Sequence, residues 1–489
     1  MTKPFIPTAN SGATLSLHSQ LAALVRHRPV TATPETPLRE ALQTMAEERV
    51  SSIVIVEPES GRPIGIFTLR DLLHRVAARS CDFDQWIAAV MSDTELVMLN
   101  WRSSVYQAAL QMARRDVHHV IIVDATGRLV GVVSHEDIYE LQRGGVKAIG
   151  NAIRNARDMD ALISAAAEIR HLTMQMLSNG SSAEMLTQLI STFNDHLTSR
   201  IIELTVAEHS LPKVPWCWLS FGSEGRFEQT FSTDQDNGII FADADDPAQV
   251  ETMRLAFLPF AQAVNHKLDA CGFTLCKGNI MASNPELCLS LSEWRTRFSG
   301  WLHAVSPQAL LNATIFFDLR PLFGEEALAD ELRDWLLART ADASMFLRFM
   351  AANAVQVAPP LGLIRDFTFD KNEEFPHTID LKTCGSRLFV DAARIFALAN
   401  GISHTSTVQR LTAVAERMEF GRDDVAAMVE GFYFIQQLRL RHQQSDGGVN
   451  GSANRIDPDQ LHELHRHVLK EAFKQAKKLQ QKLQLDYRL

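Results

Sequence analysis

The chain has 489 residues, 46% of them hydrophobic and 22% charged, which is the composition of an ordinary globular protein of about three domains. Its 48 basic and 58 acidic residues give a net charge of −10, which argues against broad binding to nucleic acid or to an anionic membrane. No apolar run approaches the ~18 residues that span a bilayer, the first residues do not read as a signal peptide, and the six cysteines lack metal spacing, so we expect a cytoplasmic protein with reduced thiols.

A duplicated unit follows an N-terminal tail of residues 1–19. The segment ALQTMAEERVSSIVIVEPESGRPIGIFTLRDLL, from Ala41, aligns with ALQMARRDVHHVIIVDATGRLVGVVSHEDIY, from Ala109. Each copy predicts a helix, an apolar strand, a turn, a second strand and a helix. The second strand ends in Gly-x-x-Thr/Ser-x-x-Asp, with the two copies 66 residues apart, at Gly65, Thr68 and Asp71 and at Gly131, Ser134 and Asp137.

The hydroxyl residue in each motif can cap the next helix, and the Asp one turn later can accept hydrogen bonds from a ribose. In the simplest interpretation both pairs are only helix caps. The repeat resembles a CBS-domain pair, or Bateman module, over residues 20–145. This resemblance implies an α/β sandwich that binds an adenine nucleotide as effector and can pair as a homodimer. The ligand candidates that it implies are Thr68, Asp71, Ser134 and Asp137.

A helical connector is predicted over residues 146–210. The segment is rich in Ala, Leu, Ile, Met and charged residues, contains no proline before Leu211, and is interrupted clearly only at Gly180-Ser181-Ser182. Apolar residues recur at helical spacing, so we expect two or three helices, with Ser181 or Ser182 capping one of them.

The stretch WLSFGSEGRFEQTFSTDQDNGIIF, from Trp218 to Phe241, carries the densest chemistry in the sequence. A buried strand should run into a turn at Gly222-Ser223, whose backbone N–H groups and hydroxyl suit an anion. Asp234 and Asp236 should then lie at the end of the adjacent strand and face the same way, because residues two apart on a strand share a face. Paired carboxylates beside a phosphate cradle suit Mg²⁺, although Asp and Asn also occur here as ordinary turn residues.

The whole string resembles the polymerase-beta type of nucleotidyltransferase superfamily, and more closely a bacterial nucleotidyltransferase-like domain that is often joined to CBS domains. That family is similar to the uridylyltransferase that modifies the PII signalling protein. The resemblance implies a small mixed-sheet α/β domain over residues 211–295. It implies that Asp234 and Asp236 hold Mg²⁺, that Gly222 and Ser223 bind the triphosphate, and that Arg226 is a catalytic phosphate contact. Glu228 could hold Arg226 in place.

The sequence departs from the wider superfamily at one point. A third carboxylate, often the general base, is expected on a later strand, and the predicted strand Phe273–Ser283 contains none. Either the base comes from elsewhere or the domain has lost its activity.

An all-helical domain is predicted over residues 296–489, and it resembles the substrate-binding domain that follows the nucleotidyltransferase domain in the same family. Three candidates for contacts with the nucleotide or the acceptor are Asp318, Arg320 and Lys382. On general grounds, Asp318 and Arg320 could instead satisfy each other or the backbone.

Together these features predict a multidomain α/β plus α protein that transfers an NMP from an NTP to an acceptor with Mg²⁺, under control of adenine nucleotides. The resemblance to the PII-modifying enzyme implies a hydroxyl on a signalling protein as the first choice of acceptor, and a small molecule is the second. The alternative is an inactive nucleotide sensor that binds a regulated partner. A nucleic-acid-modifying transferase is disfavoured by the acidic net charge and the lack of a basic-aromatic stripe.

Overall fold

The computed structural model describes residues 19–489 except 26–28, 49, 78–81, 93–95, 116, 304–305, 363–366, 370–373, 419 and 446–452. It consists of two compact units, Met1–Ala148 and Ile149–Leu489, and each is described by itself. Apart from Ser19, the predicted tail of residues 1–19 lies outside the described residues. None of the described helices is long and apolar enough to cross a membrane.

The first unit contains two three-stranded sheets of the same topology. In the first copy, β1 (Thr31–Ala32), α1 (Leu38–Glu47), β2 (Ser52–Val56) and β3 (Pro63–Thr68) are followed by α2 (Leu69–Asp71) and a π-helical turn, Leu72–Val76. In the second copy, β4 (Met98–Asn100), α3 (Val105–Arg115), β5 (His119–Val123), β6 (Leu129–Ser134) and α4 (His135–Asn155) repeat that order. The first two strands of each sheet are parallel and the last two antiparallel, so the predicted duplication is confirmed.

The central strand of each sheet is the apolar run that the sequence showed. Ile53 and Ile55 of β2 are buried in one core with Leu38 of α1. Val120 and Ile122 of β5 are buried in a second core, with matching contacts from α3. The cores account for the apolar central strands, because a strand covered on both faces has no solvent side on which polar residues are favoured.

The second unit begins with the predicted connector. After the end of α4, the chain forms α5 (Met159–Ser178) and α6 (Ala183–Val206), in agreement with the expected two or three helices. The Ser182 Oγ accepts a hydrogen bond from the Met185 backbone N at 3.3 Å, so Ser182 is the predicted cap.

A mixed four-stranded sheet follows, in the order β10-β7-β8-β9. Its elements along the chain are β7 (Trp216–Ser220), α7 (Gly222–Gly225), β8 (Asn237–Phe241), α8 (Pro247–Ala270), β9 (Cys288–Ser290), α9 (Leu291–His303), α10 (Pro307–Phe316) and β10 (Arg320–Gly324). Strands β7 and β8 are antiparallel, and β8 and β9 are parallel. The expected small mixed sheet is therefore present.

The predicted strand Phe273–Ser283 is wrong. Within it only Thr274 forms a β-bridge, to Asp234, and the third strand of this region is β9 instead. The reason is local: the chain turns at Lys277-Gly278, and Asn279 has a φ of +56°, a left-handed conformation that interrupts an extended run.

The rest of the chain is mostly helical, as expected. It contains α11 (Glu326–Thr340), α12 (Ser344–Ala354), β11 (Ile379–Asp380), a π-helical turn Lys382–Ser386 leading into α13 (Arg387–Ala399), α14 (Thr407–Val414), α15 (Arg422–Ser445), β12 (Arg455–Ile456) and α16 (Glu463–Tyr487). One hydrophobic core joins these helices to the sheet, from Phe221 and Trp294 to Phe389 and Phe473. The sheet and the helical region therefore pack as one body within the second unit.

Candidate nucleotidyltransferase site

The acidic pair Asp234 and Asp236 lies just before β8. Thr233, Gln235 and Asn237 alternate with the two aspartates and are buried, whereas Asp234 is exposed and Asp236 is half-buried. Side-chain hydrogen bonds fix the buried side: Gln235 Nε2 donates to the carbonyl oxygens of Asn265 (2.9 Å) and Phe273 (2.8 Å). The alternation therefore leaves the two carboxylates on the other side of the segment.

The two carboxylates carry charge that the chain itself does not neutralise. Burial and the charge of Asp234 raise the pKa of Asp236 to about 6, and the charge of Lys382 lowers it only in part. Neutral donors approach each carboxylate: Thr274 Oγ1 donates to Asp234 Oδ1 at 3.1 Å, and Cys276 Sγ donates to Asp236 Oδ1 at 3.7 Å. A cation bound between the two carboxylates would relieve this repulsion.

The donor set fits Mg²⁺ rather than a fully protein-ligated metal. Among the described residues, no group of three or more His, Cys, Asp or Glu side chains could hold a metal ion. Mg²⁺ commonly takes one or two carboxylates and completes its shell with water and substrate phosphates. Asp234 and Asp236 are the residues that would hold it.

The Gly222-Ser223 turn touches the acidic pair. The Phe221 backbone N donates to the Asp236 carbonyl oxygen at 2.8 Å, and Gly222 has a φ of +54°. A Cβ at Gly222 would lie 2.6 Å from Asp236 Oδ2, so this approach requires glycine. Ser223 is half-buried, and its hydroxyl makes no hydrogen bond within the described part of the chain.

Arg226 is held in place by two carboxylates. Its Nε donates to Glu228 Oε2 at 2.7 Å, and its Nη1 donates to Asp318 Oδ2 at 2.6 Å. The side chain is 12% exposed. The expected Arg226–Glu228 contact is therefore present, and it leaves Arg226 as a partly buried cation behind the turn.

Asp318 is fully buried and binds three arginines. Besides Arg226, its oxygens accept from Arg394 Nη2 at 2.6 Å and from Arg410 Nη1 at 2.5 Å. Burial alone would raise its pKa, but the three guanidinium charges hold the pKa well below its usual range. With no exposed surface, Asp318 cannot touch a nucleotide, so that expectation is replaced by a role in positioning Arg226. Asp318 and Arg320, which could have paired with each other on general grounds, form ion pairs with other residues instead.

Arg320 belongs to a second buried cluster that the sequence reasoning missed. Its Nη2 donates to Asp195 Oδ1 at 2.9 Å and to the Glu224 carbonyl oxygen at 3.2 Å, and its guanidinium lies 3.9 Å from the centre of the Phe227 ring. Burial, with the nearby charge of Asp195, raises the pKa of Glu224 to about 8, and burial raises the pKa of Asp195 as well. Asp195 is on the connector helix α6, 125 residues before Arg320, so no local pattern indicated the pair.

Lys382 is the candidate from the helical region that faces the acidic pair. It is exposed, and its charge lowers the pKa of Asp236. No carboxylate among the described residues lies within 4 Å of its ammonium group, so the cation is available to a ligand.

The two duplicated motifs of the first unit are both helix caps, as in the simplest interpretation. Thr68 Oγ1 and Asp71 Oδ2 are 2.7 Å apart, and so are Ser134 Oγ and Asp137 Oδ2. The two motifs differ in the partners of the second Asp oxygen, Oδ1. Asp71 Oδ1 accepts from Ser92 Oγ at 3.0 Å and pairs with Arg75, whereas Asp137 Oδ1 has no partner within the described residues.

Comparison with known families assigns the parts of the chain. Residues 21–78 and 90–144 match the family described as "CBS domain", and residues 167–308 match "Putative nucleotidyltransferase DUF294". Residues 344–487 match "Putative nucleotidyltransferase substrate binding domain". The chain therefore contains a CBS pair, a DUF294 domain and the substrate-binding domain described for the same kind of protein. Asp234, Asp236 and Gly222 lie in the DUF294 domain and Lys382 in the substrate-binding domain, while Asp318 lies between the two matched ranges.

Individual relatives match only part of this chain. An uncharacterized protein of Methanopyrus kandleri is 29% identical over 119 residues, which are 24% of this chain and 60% of that protein. The γ-3 subunit of human 5'-AMP-activated protein kinase is 28% identical over 123 residues, 23% of this chain and 25% of the subunit. The chain thus spans less than two thirds of the length of either relative.

Solved structures with CBS domains are also similar to part of the chain. A CBS domain protein from Pyrobaculum aerophilum complexed with AMP has 28% identity and a TM-score of 0.23, over 24% of this chain and 88% of that one. A CBS-domain protein from Agrobacterium tumefaciens has 25% identity and a TM-score of 0.24, over 26% of this chain and 95% of that one.

Proposed function

We propose that this protein transfers an NMP from an NTP to an acceptor hydroxyl with Mg²⁺, and that an adenine nucleotide at the CBS pair regulates the transfer. The observation that carries the proposal is the close approach of Gly222, at a φ of +54°, to Asp236, a carboxylate that shares a face with Asp234. Two carboxylates that form no ion pair with a described residue, beside the hydroxyl of Ser223, suit a Mg²⁺-bound polyphosphate.

In the proposed reaction the acceptor oxygen forms a bond to the α-phosphorus, and the bond from that phosphorus to the α–β bridging oxygen breaks. Pyrophosphate leaves, and the hydroxyl proton passes to solvent, since the Phe273–Ser283 segment brings no carboxylate to receive it. Bound at Asp234 and Asp236, Mg²⁺ would neutralise charge on the reacting phosphate. Ser223 would orient the phosphates, and Arg226, held by Glu228 and Asp318, would add fixed positive charge behind the turn.

The regulatory part of the proposal rests on the CBS pair. The Pyrobaculum relative was solved with AMP, and Asp137 Oδ1 in the second motif accepts no hydrogen bond from a described residue. An adenine nucleotide whose ribose hydroxyls donate to Asp137 is therefore the proposed effector. A hydroxyl on a signalling protein is the proposed acceptor, and a homodimer is the proposed assembly.

The experiment supplies purified protein, Mg²⁺ and each α-labelled NTP to a cell lysate. Asp234→Asn and Asp236→Asn should abolish transfer of the label to any acceptor. Asp245→Asn, which removes an exposed carboxylate on the turn after β8, is the matched control and should transfer label like the wild type. Label that transfers equally from all four proteins would refute the proposal.

The second candidate is an inactive sensor, favoured by one observation. The segment beside the acidic pair presents Thr274 and Cys276 to the carboxylates, where a third carboxylate would be expected. If NTP binding by calorimetry depends on Mg²⁺ and Asp236 while no label is ever transferred, the sensor is the correct function.

A further inference from the structure

Arg439, on α15, is a buried cation that forms no ion pair with a carboxylate of the described residues. Its residue surface is 7% exposed, and its partners are all neutral: Asn454 Oδ1 at 3.0 Å, Ser386 Oγ at 3.3 Å and Gln436 Oε1 at 2.6 Å. Its Nη2 makes no hydrogen bond to any described residue. Burial of a charge without a counter-charge is unfavourable, so this guanidinium is suited to an anion that the chain does not provide.

The other deeply buried arginines of the second unit do not share this feature. Each of them forms an ion pair with at least one carboxylate of the described chain, as do Arg226, Arg254, Arg394 and Arg410. Burial lowers the pKa of Arg439 to about 10, and the nearby charge of Asp380 opposes this without being in contact. Arg439 is therefore buried like the other arginines but differs from them in having no carboxylate partner among the described residues.

Arg439 is on a helix that contacts the segment leading to the acidic pair, because Phe231, three residues before Asp234, packs against the same hydrophobic cluster as Leu440. Its partner Ser386 is one turn from Lys382, and the Ser386 Oγ lies 3.5 Å from the Lys382 carbonyl oxygen. Lys382 is exposed and begins the turn that leads into α13, whose Arg394 shares Asp318 with Arg226. Arg226 and Glu228, at the end of the Gly222-Ser223 turn, both act on the pKa of Arg439.

We infer that Arg439 and Lys382 form a subsite for the β- and γ-phosphates of the nucleotide. This inference rests on the proposed function and goes further, because it assigns an orientation. The α-phosphate lies at Asp234 and Asp236, and the pyrophosphate end extends toward the substrate-binding domain. A guanidinium with a free Nη2 donates to phosphate oxygens in a fixed plane, while the ammonium of Lys382 adds a mobile charge.

The test is calorimetry with the full chain and three probes in Mg²⁺: an NTP, the corresponding NMP and inorganic pyrophosphate. Arg439→Gln should weaken NTP and pyrophosphate binding by about tenfold to a hundredfold, as the loss of a charge-assisted hydrogen bond predicts, and leave NMP binding unchanged. Lys382→Ala should weaken the same two probes. Arg417→Gln, at an exposed arginine that donates to the Asn400 carbonyl oxygen, is the control and should match the wild type.

The outcomes separate this inference from the proposed function. If NTP binding requires Asp236 but Arg439→Gln binds all three probes like the wild type, or weakens NTP and NMP equally, the subsite is overturned and the proposed function stands. If the wild type binds no NTP, both fail. If Arg439→Gln does not fold, Lys382→Ala decides, since Lys382 is exposed, and equal binding of NTP and pyrophosphate by that variant and the wild type overturns the subsite.

Discussion

Single atoms set the distance between the Gly222-Ser223 turn and the acidic pair. Gly222 combines a left-handed φ of +54° with a contact that leaves no room for a methyl group beside Asp236 Oδ2. The Asp236 carboxylate is in turn destabilised by burial and by Asp234. The site therefore depends on the absence of a side chain at Gly222 and on a cation that balances the charges of Asp234 and Asp236.

Gly222→Ala tests this dependence. The new Cβ would meet Asp236 Oδ2, and alanine at this φ costs roughly 1–2 kcal/mol, so we expect at least a tenfold loss of Mg²⁺-dependent NTP affinity by calorimetry. Gly300→Ala, in helix α9 with nothing within 4 Å of the added Cβ, is the control and should bind NTP normally. Equal affinities of the two variants would show that the close approach does not matter.

Glu224 provides a pH-dependent prediction at the same scale. Burial raises its pKa to about 8, so the folded protein keeps a proton that the unfolded chain loses near pH 4.5. The contribution to stability is complete below about pH 4.5 and is lost as the pH rises through about 8, at up to ~1.4 kcal/mol per pH unit. Glu224→Gln keeps the acceptor for Ser220 and removes the titration.

Thermal unfolding of the two proteins between pH 5 and pH 8 measures this effect. The Tm of wild type should fall relative to Glu224→Gln as the pH rises. A difference in Tm that stays constant over this range would show that Glu224 titrates normally.

At the scale of elements, residues of the helical region hold the Gly222-Ser223 turn in place. Thr405 Oγ1 donates to the Gly225 carbonyl oxygen at 2.7 Å, and the Thr407 backbone N donates to Glu228 Oε1 at 2.7 Å, so the start of α14 contacts both ends of segment 225–228. A Cβ at Gly225 would lie 2.0 Å from the Asp318 carbonyl oxygen. The Gly222-Ser223 turn is therefore joined directly to the start of α14.

Asp318→Asn should disrupt that element. It leaves three buried arginines without their shared carboxylate, and removal of one partner from a buried ion pair costs roughly 3–5 kcal/mol. Denaturant unfolding should show this loss, with a raised KM for NTP because Arg226 loses its support. Asp330→Asn, which breaks an exposed pair with Arg333, should cost about 1 kcal/mol or less. Similar losses in both variants would contradict the role of the buried cluster.

Sequence patterns predicted those features of the fold and the site that depend on residues close together in the chain. The duplicated strands, the Ser182 cap and the turn followed by an acidic pair are all local, and the structure has each of them. The partners of Asp318 are 76 and 92 residues away in the chain, and so they could not be recognised by spacing. The predicted strand at Phe273–Ser283 failed because its apolar residues suggested β structure while the left-handed Asn279 prevented it.

At the scale of the whole molecule, the two duplicated motifs of the first unit are unequal. Both oxygens of the Asp71 carboxylate are occupied by protein donors, whereas Asp137 has one oxygen free among the described residues. Asp137→Asn should therefore weaken AMP or ATP binding by about tenfold in calorimetry, and Asp71→Asn should change it little, apart from effects on stability. A larger loss in Asp71→Asn would assign the effector to the first motif.

The central claim is that the second unit transfers a nucleotidyl group and not a terminal phosphate. The most direct measurement compares α-labelled and γ-labelled NTP in parallel reactions with Mg²⁺, wild-type protein and lysate. We expect the α-label to appear on an acceptor and the γ-label in released pyrophosphate, both lost in Asp236→Asn and retained in Asp245→Asn. Appearance of the γ-label on the acceptor, or transfer that survives Asp236→Asn, would contradict the proposed function.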